Sequence, residues 1–335
     1  MPELQKYLKD SLSVLFLSIF APLFAIASLV FLVKLATYTA IIKLTILEMA
    51  KLYFFILPEI LFYTFPISFF IATTLTLFKL SNDNEIVVLF ALGIHPKFIL
   101  KTFFKPALFL SLILIFDFFV LFPHAKVLSK NFISYKTSEA KFNLSASEFG
   151  HSFGEWLLYI GKNNPDGTYS DVILFNKKQK EEILIDAKKA KIINDSGILR
   201  LKLTKGEGYS YSKEKFSQID FETMYINNTM QTKLITYKSP VNYWLNKSKQ
   251  KKLISNVLFS LFPIISLFLV ASIGIVHVRH QKGKVYLYLF LGIIIYDSLA
   301  LSLQGAFSYY TIPVLIITWL IATYTLYRKV IVAKF

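Results

Sequence analysis

Cysteine is absent from this chain of 335 residues. Its absence excludes a disulfide framework, a thiolate metal site and a cysteine nucleophile. The sequence also lacks the Gly-x-x-x-x-Gly-Lys-Ser/Thr phosphate loop and the His-Glu-x-x-His zinc helix, so it has no familiar means of splitting ATP or holding a catalytic metal. We therefore expect no catalytic residue, no cofactor and no metal site.

Acidic residues are scarce, because 21 Asp and Glu stand against 37 Lys and Arg, which gives a formal net charge of +16. Such a charge could indicate nucleic acid binding. The lysines are spread over many loops, however, with no compact basic helix and no aromatic platform for RNA. We therefore expect anionic lipid, and no nucleic acid, as the partner of these charges.

Long apolar runs are abundant. Hydrophobic residues make up 55% of the chain and the mean hydropathy is +0.53, more than a soluble chain of this length usually carries. Six runs are long enough, or nearly so, to cross a hydrocarbon core of ~30 Å as helices. They are Leu12 to Val33, Leu52 to Phe78, Phe98 to Phe122, Leu253 to Val276, Val285 to Leu303 and Thr311 to Tyr327. The sequence thus predicts three spans in residues 1–122 and three in residues 253–335.

Basic residues near the span ends indicate the orientation in the membrane. If six spans alternate, one side collects Lys6, Lys9, Lys79, Lys97, Lys101, Arg279, Lys282, Lys284, Arg328, Lys329 and Lys334. That side, with both termini, is predicted to be cytoplasmic. The loop with Lys34, Lys43 and Lys51 falls on the opposite side and weakens this bias without reversing it.

Residues 123–252 between the two sets of spans are polar and rich in lysine. Breakers such as Asn163 to Gly167, Asp195 to Gly197 and Gly206 to Gly208 separate short runs that are β-branched, aromatic or alternating. Seven such runs occur: Trp156 to Ile160, Asp171 to Phe175, Glu182 to Ile185, Ala190 to Ile193, Ile198 to Leu203, Gly208 to Tyr211 and Gln218 to Ile226. This pattern predicts a sandwich or jelly roll outside the cytoplasm.

One formal catalytic motif remains, since Gly150 to Gly154 reads Gly-His-Ser-Phe-Gly and matches the nucleophile elbow of α/β-hydrolases. That mechanism requires a strand-to-helix turn and a later histidine in the same domain. The later histidines, His277 and His280, are predicted across the membrane. The motif is therefore interpreted as a turn before a strand.

Ionisable residues also lie within or beside the predicted spans. On one interpretation, Asp117 and Asp297 belong to a polar cavity or a proton relay. On the other, each forms a hydrogen bond to a neighbouring helix. Glu59 is predicted to be interfacial. Lys34 binds a phosphate or extends its amine to the membrane surface, and both alternatives stay open.

A polar insert separates the second and third spans. Residues 82–95 predict an amphipathic helix of about three turns, capped by Asn82 or Asp83, with Glu85 in its first turn, Gly93 at its end and Pro96 beyond it. Such a helix offers no chemistry but is a natural docking element for a partner protein.

Taken together, these residues resemble the LptF/LptG (YjgP/YjgQ) permeases of lipopolysaccharide export, over essentially the whole chain. The resemblance is carried by the acidic segment around Glu85 with Ala91 and Gly93, by the Leu57-Pro58 and Phe65-Pro66 pattern, and by strand motifs. These motifs are Ile185 to Ile193, Leu201 to Leu203, Gly206 to Tyr209 and Ile219 to Phe221. The fold that it implies is a membrane α-helical bundle of six transmembrane helices, three plus three, with an inserted all-β, jelly-roll-like periplasmic domain.

The resemblance implies an ABC transporter permease in the bacterial inner membrane that extracts lipopolysaccharide or lipooligosaccharide. Its implied partners are a cytosolic ATPase dimer (LptB-like), a paralogous permease, a single-span accessory protein with a β-jelly roll (LptC-like) and a periplasmic bridge protein. The residues that would couple to the ATPase are Glu85, Ile86, Leu89, Phe90 and Gly93. Lys34 and Lys43 would meet the substrate's phosphates.

The chain also departs from the family pattern. Leu89 and Phe90 stand where a more polar or basic pair is expected, and the loop from Val276 to Lys284 is short. The Leu-Pro-Glu pattern favours the LptF-like paralogue. Two other classes remain as alternatives, a membrane-anchored enzyme acting on envelope lipid and a passive assembly scaffold.

Overall fold

A computed structural model describes residues 2–39, 44–141, 151–153, 155–178, 181–195, 198–212, 215–227, 239–276 and 284–333. The chain divides into two compact units. The helical unit comprises Met1–Ala36, Ile46–Val127 and Tyr237–Phe335. The second unit comprises Thr37–Thr45 and Leu128–Thr236 and contains the β-sheet.

The described helices follow one another in chain order. They are α1 (Pro2–Thr39), α2 (Ile46–Asn82), α3 (Glu85–Ala91), α4 (Pro96–Phe116), α5 (Phe122–Lys141), α6 (Pro240–Trp244), α7 (Gln250–Ile265), α8 (Leu267–Gly274), α9 (Val285–Phe307) and α10 (Thr311–Tyr327). A π-helical turn, Asp117–Leu121, joins α4 to α5, and another, Arg328–Val332, follows α10. Short 3₁₀ turns, Lys247–Lys249 and Ser308–Tyr310, precede α7 and α10.

Five described segments are long and apolar enough to span a membrane, and the bent pair α7 and α8 makes a sixth. The pair bends by 48° at Ser266. Pro263 lies just before the bend and lacks the backbone N–H that would continue the helical hydrogen bonds. The predicted helical bundle with an inserted all-β domain is thus confirmed.

Close packing joins α2 to α8 near the position of α3. A Cβ added at Gly274 would lie 2.7 Å from both the Leu77 Cβ and the Thr74 carbonyl oxygen, so only glycine fits there. The Ser81 hydroxyl donates to the Gly274 carbonyl at 3.2 Å and accepts from the Val276 N–H at 3.4 Å. These contacts fix the end of α2 from which α3 departs.

The β-sheet is a meander in which each described strand pairs antiparallel with the next. Its strands are β1 (His151–Phe153), β2 (Trp156–Asn163), β3 (Tyr169–Lys178), β4 (Glu181–Asp195), β5 (Ile198–Ser212) and β6 (Phe216–Asn227). The prediction of seven short strands is wrong, because β4 and β5 each unite two predicted runs. Gly206 does not break β5; an added Cβ there would lie 2.2 Å from the Asp186 carbonyl oxygen, so the glycine permits close strand contact.

In each of five adjacent strands, the regular antiparallel pairing of residues is interrupted at one position. These positions form a line across the sheet, which we call the crease. It consists of Gly161, Asp171, Lys188, Lys205 and Glu222. Two of these positions, Asp171 and Lys205, have φ of 54° and 53°, which non-glycine residues rarely adopt. Such irregularities bend and twist strands.

The crease changes which residues face the core of the sheet. Ala187 and Ala190 are both buried in one cluster although they are three residues apart, and so are Tyr169 and Val172. Strict alternation would place the members of each pair on opposite faces. Both halves of the sheet therefore contribute to one core.

Candidate functional site

The insert between α2 and α4 is shorter as a helix than the sequence predicts, since α3 has 7 residues. α2 continues through Asn82, and the Asp83 N–H donates to the Lys79 carbonyl at 2.9 Å. Asn84 then precedes α3 with a φ of 62° and no side-chain capping bond. The expectation that Asn82 or Asp83 caps the helix is therefore wrong, because Asn82 ends α2 and Asp83 lies in the turn that follows, with Asn84 before α3.

Gly93 lies just after α3 with a φ of 81°. Its N–H donates to the Phe90 carbonyl, and the Ile94 N–H donates to the Leu89 carbonyl, both at 3.0 Å. These bonds close the helix in the way that a left-handed glycine allows. Pro96 is the first residue of α4, and the His95 Nδ1 caps that helix by accepting from the Lys97 N–H at 3.1 Å.

Glu85 lies beside the start of α1. The Tyr7 hydroxyl donates to the Glu85 Oε2 at 2.8 Å. The two residues border an open groove of about 300 Å³, which we call the α3 groove; it is lined by Leu4, Tyr7, Asp83, Asn84, Glu85, Val88 and Leu89. Two carboxylates among apolar side chains suit a cationic side chain carried on an apolar surface.

The predicted coupling residues do not share one environment. Ile86 is 1% exposed and lies in the core of the helical unit, and Phe90 packs against that core. Leu89 is half-buried and lines the α3 groove. The large exposed apolar side chains are Val88, at 55%, and Leu92, at 74%.

Ile86 is therefore not available to a partner, contrary to the expectation that it would couple directly to the ATPase. Sequence reasoning missed Val88 and Leu92. Their spacing of four residues, on the face opposite Ile86 and Phe90, was the signal that could have found them.

A second candidate site is a half-open cavity of about 530 Å³ between α2, α7 and α9, which we call the lysine-rimmed cavity. It is lined by Tyr63, Ile67, Lys251, Lys252, Ser255, Asn256, Phe259, Tyr296, Asp297, Ala300, Leu301 and Gln304. The α7 residues share one helix face at spacings of three and four, and so do those of α9. The cavity combines cations, neutral polar groups and apolar walls.

Lys252 is the best-defined cation of this cavity. Its Nζ lies 3.7 Å from the Glu59 Oε1 and 4.5 Å from the centre of the Phe122 ring. The Lys126 Nζ lies 5.1 Å from the same ring centre. Two ammonium groups thus lie close to one aromatic ring. Among the described residues, Glu59 is the carboxylate that pairs with Lys252.

Asn256 is 2% exposed, and its Nδ2 has no hydrogen-bond partner among the described residues. Its neighbour Ser255 donates to the Gln304 Oε1 at 3.1 Å, which links α7 to α9. The Tyr296 hydroxyl adds a second link by donating to the Leu258 carbonyl at 2.7 Å. The walls of the cavity are therefore fixed while one buried donor stays unsatisfied.

The remaining predicted residues are dispersed. Asp297 lines the lysine-rimmed cavity, as the polar-cavity interpretation requires, whereas the buried Asp117 begins a π-helical turn and is not among the lining residues. Lys34 is exposed on α1. Lys43 lies outside the described residues, as do Gly150 and Gly154 of the hydrolase-like motif.

Comparison with known families gives one match over nearly the whole chain. Residues 6–326 match the family described as "Lipopolysaccharide export system permease LptF/LptG". The match includes α3, the β-sheet and the lysine-rimmed cavity. No curated protein sequence matches the chain.

Proposed function

The chain belongs to the LptF/LptG family of lipopolysaccharide export permeases, and we propose that it is the membrane subunit of an ABC transporter. In this role it extracts lipopolysaccharide or lipooligosaccharide from the inner membrane and passes it to a periplasmic bridge protein. The family match over residues 6–326 is the observation that carries the proposal. A family of permeases without catalytic chemistry needs a separate ATPase to drive it.

The α3 groove is the proposed docking site of that ATPase, a cytosolic dimer. Glu85 would accept an arginine of the motor, since a guanidinium suits a carboxylate, and Val88 and Leu92 would bury apolar surface beside it. Phe90 and Gly93 would hold α3 in shape. This assignment makes the α3 end of the bundle and both termini cytoplasmic and the β-domain periplasmic.

The sheet edge supports a second proposed contact. β6 has 12 residues, pairs with β5 on one side, and has no further strand beside it among the described residues. Its exposed side chains include Phe216, Ile219 and Tyr225. An edge of this length can add a strand from another β-domain, so we assign it to the accessory protein with its single span and β-jelly roll. A paralogous permease would complete the membrane pair.

Co-purification tests the proposed function. The chain is isolated from its native membranes as wild type, as Glu85→Arg and as Asp10→Arg, and the associated proteins are identified. Asp10 is exposed on α1, so its variant makes the same charge change near α3 without touching Glu85. We expect an ATPase with the wild type and with Asp10→Arg, and at least a tenfold loss with Glu85→Arg. A wild type without any ATPase would overturn the proposal and favour an enzyme or scaffold.

A further inference from the structure

We infer that the exposed face of α4 binds an anionic glycerophospholipid, of which phosphatidylglycerol is the simplest example. Three lysines, Lys97, Lys101 and Lys105, would hold the headgroup phosphate. The exposed apolar residues further along the same face would contact the acyl chains. This ligand is a resident lipid of the bilayer and not the exported lipid. Only its leaflet, the cytoplasmic one, rests on the orientation proposed above.

Six exposed side chains of α4 form one continuous face. Neighbouring members lie three or four residues apart, which is the spacing of one side of a helix. We call this side the lysine face, and it consists of Lys97, Lys101, Phe104, Lys105, Leu108 and Leu112. The opposite side of α4 packs into the core of the helical unit through Ile99, Phe103 and Ala107. The lysine face is therefore directed away from that core.

The positive charge of the lysine face is not compensated within this part of the chain. Lys97, Lys101 and Lys105 form a row about 12 Å long, and α4 contains no Asp or Glu. None of the three lysines forms an ion pair with another residue that the structure describes. Like charges four residues apart on a helix repel each other, so the row is unfavourable by itself. An anion bound along the row would offset this repulsion.

The direction of α4 favours contact with lipid headgroups. Helical side chains tilt toward the N-terminus of their helix, and α4 begins at the end of the bundle from which α3 departs. The amine of Lys105 can therefore extend back toward the membrane surface, where the phosphates of a bilayer lie. The amines of Lys97, Lys101 and Lys105 start at different depths and would thus converge on one layer of phosphates.

The N-terminus of α4 adds to the attraction for an anion. Lys97 is the second residue of the helix, so its side chain lies beside the positive end of the helix dipole. The His95 Nδ1 accepts from the Lys97 N–H at 3.1 Å, which fixes the start of the helix at this point. The lysine row and the helix dipole therefore favour a negative charge at the same end of α4.

The apolar part of the lysine face distinguishes a lipid from a soluble protein. Leu108 and Leu112 lie about 4.5 and 10 Å beyond Lys105 along the helix, and both are exposed. An acidic protein surface could cover the lysines from the cytoplasm but would not reach apolar residues inside the bilayer. A phospholipid has a phosphate followed by acyl chains and can contact both parts. An anionic headgroup is expected because a zwitterionic one would bring its own cation to the lysines.

Photocrosslinking in symmetric bilayers tests the inference. The purified chain carries the crosslinking residue in place of Leu108, on the lysine face, or of Ile321, which is exposed on α10. The bilayers consist of phosphatidylcholine with about one tenth of phosphatidylglycerol. We expect the ratio of phosphatidylglycerol to phosphatidylcholine in the crosslinks at 108 to exceed that at 321 by about tenfold or more. Equal ratios at the two positions would overturn the inference.

Substitution of the lysines assigns the effect to their charges. Lys97→Gln, Lys101→Gln and Lys105→Gln should each lower the ratio at 108 by up to about fivefold, because one lysine near an anionic surface contributes a factor of that size. The triple variant should lower it by about tenfold or more. Lys101→Arg keeps the charge and should change the ratio by less than about twofold. A triple variant with the wild-type ratio would contradict a lipid site at these lysines.

A matched triple variant removes three cations elsewhere. Lys6→Gln, Arg328→Gln and Lys329→Gln change exposed positions on α1 and on the turn after α10, on the side of the membrane that is also predicted for Lys97. We expect this variant to keep the wild-type ratio at 108. A loss equal to that of the α4 triple variant would mean that net charge alone attracts the lipid, and no site on α4 would remain.

ATPase binding distinguishes this inference from the proposed function. In detergent without phospholipid, the α4 triple variant should bind the ATPase as the wild type does. If the variant loses the ATPase but keeps the wild-type lipid ratio, the lysines contact the motor and the lipid site is wrong. If phosphatidylglycerol is enriched at 108 but no ATPase co-purifies with the wild type, the lipid site stands and the proposed function is wrong.

Discussion

The helical unit has two sites of opposite charge, and α2 reaches both of them. Glu59 of α2 lies beside Lys252 of the lysine-rimmed cavity, whereas Asn82 at the end of α2 leads into the α3 groove, roughly 35 Å further along the helix. The cavity is basic and is closed on several sides, whereas the groove is acidic and open. A basic cavity suits an anionic lipid, and an acidic groove suits a cationic protein surface.

Each of the two sites contains a charged residue that interacts weakly with another residue of the same chain. The Tyr7 hydroxyl holds Glu85 in the groove, and Glu59 holds Lys252 in the cavity. Each contact is partly exposed, so neither is strong. The difference lies in the partner: a carboxylate pairs with the Lys252 amine, whereas a neutral hydroxyl donates to one Glu85 oxygen and leaves the other for a partner.

The largest expected effect on stability comes from comparing a substitution on the buried face of α3 with one on its exposed face. Ile86→Asp places a carboxylate in the core of the helical unit, which should destabilise the protein by about 4 kcal/mol or more. Val88→Asp changes an exposed position and should change stability by less than about 0.5 kcal/mol, while weakening ATPase binding. Thermal unfolding and ATPase binding of the detergent-purified chain measure both effects. An intact, ATPase-binding Ile86→Asp variant would contradict the burial of this residue.

A charge exchange in the cavity has an intermediate expected effect. Lys252→Glu places two carboxylates together and should destabilise the helical unit by about 1 kcal/mol. The double variant Glu59→Lys, Lys252→Glu restores the pair on exchanged helices and should recover about 1 kcal/mol of stability. Thermal unfolding of the purified chain measures both variants. A double variant no more stable than Lys252→Glu would contradict a stabilising pair between these positions.

The sequence predicts the spans well because each depends on its own apolar run. Leu52 to Phe78 is contained in α2, and Val285 to Leu303 in α9. The bend at Ser266 was not predicted, because Pro263 permits a bend without specifying one; in the structure the Trp319 indole donates to the Ser266 hydroxyl at 3.3 Å at that point. Local pattern thus specifies the existence of a span but not its internal geometry.

The sheet and the cavity depend on contacts between distant residues, and there the sequence is less informative. Nothing around Asp171 or Lys205 indicates a positive φ, which arises from the pairing of five strands across the crease. Lys252 and Asn256 look like an ordinary helix start. They become a candidate site because Asp297 and Gln304, more than 40 residues later, lie beside them. Glu85 was predicted from its own segment, but its partner Tyr7 was not.

The smallest expected effect concerns the Tyr7 hydroxyl. Tyr7→Phe removes the 2.8 Å hydrogen bond to Glu85 and leaves the ring in place. If the hydroxyl orients Glu85 toward a partner, its loss should weaken ATPase binding by about 1 kcal/mol, or about fivefold. Tyr286→Phe, at an exposed position of α9, is the matched control and should have no effect. Titration of the ATPase against the reconstituted chain gives the affinities. Stronger binding by Tyr7→Phe would instead show that the hydroxyl competes with the partner's cation for Glu85, as an internal partner does when it occupies a binding group.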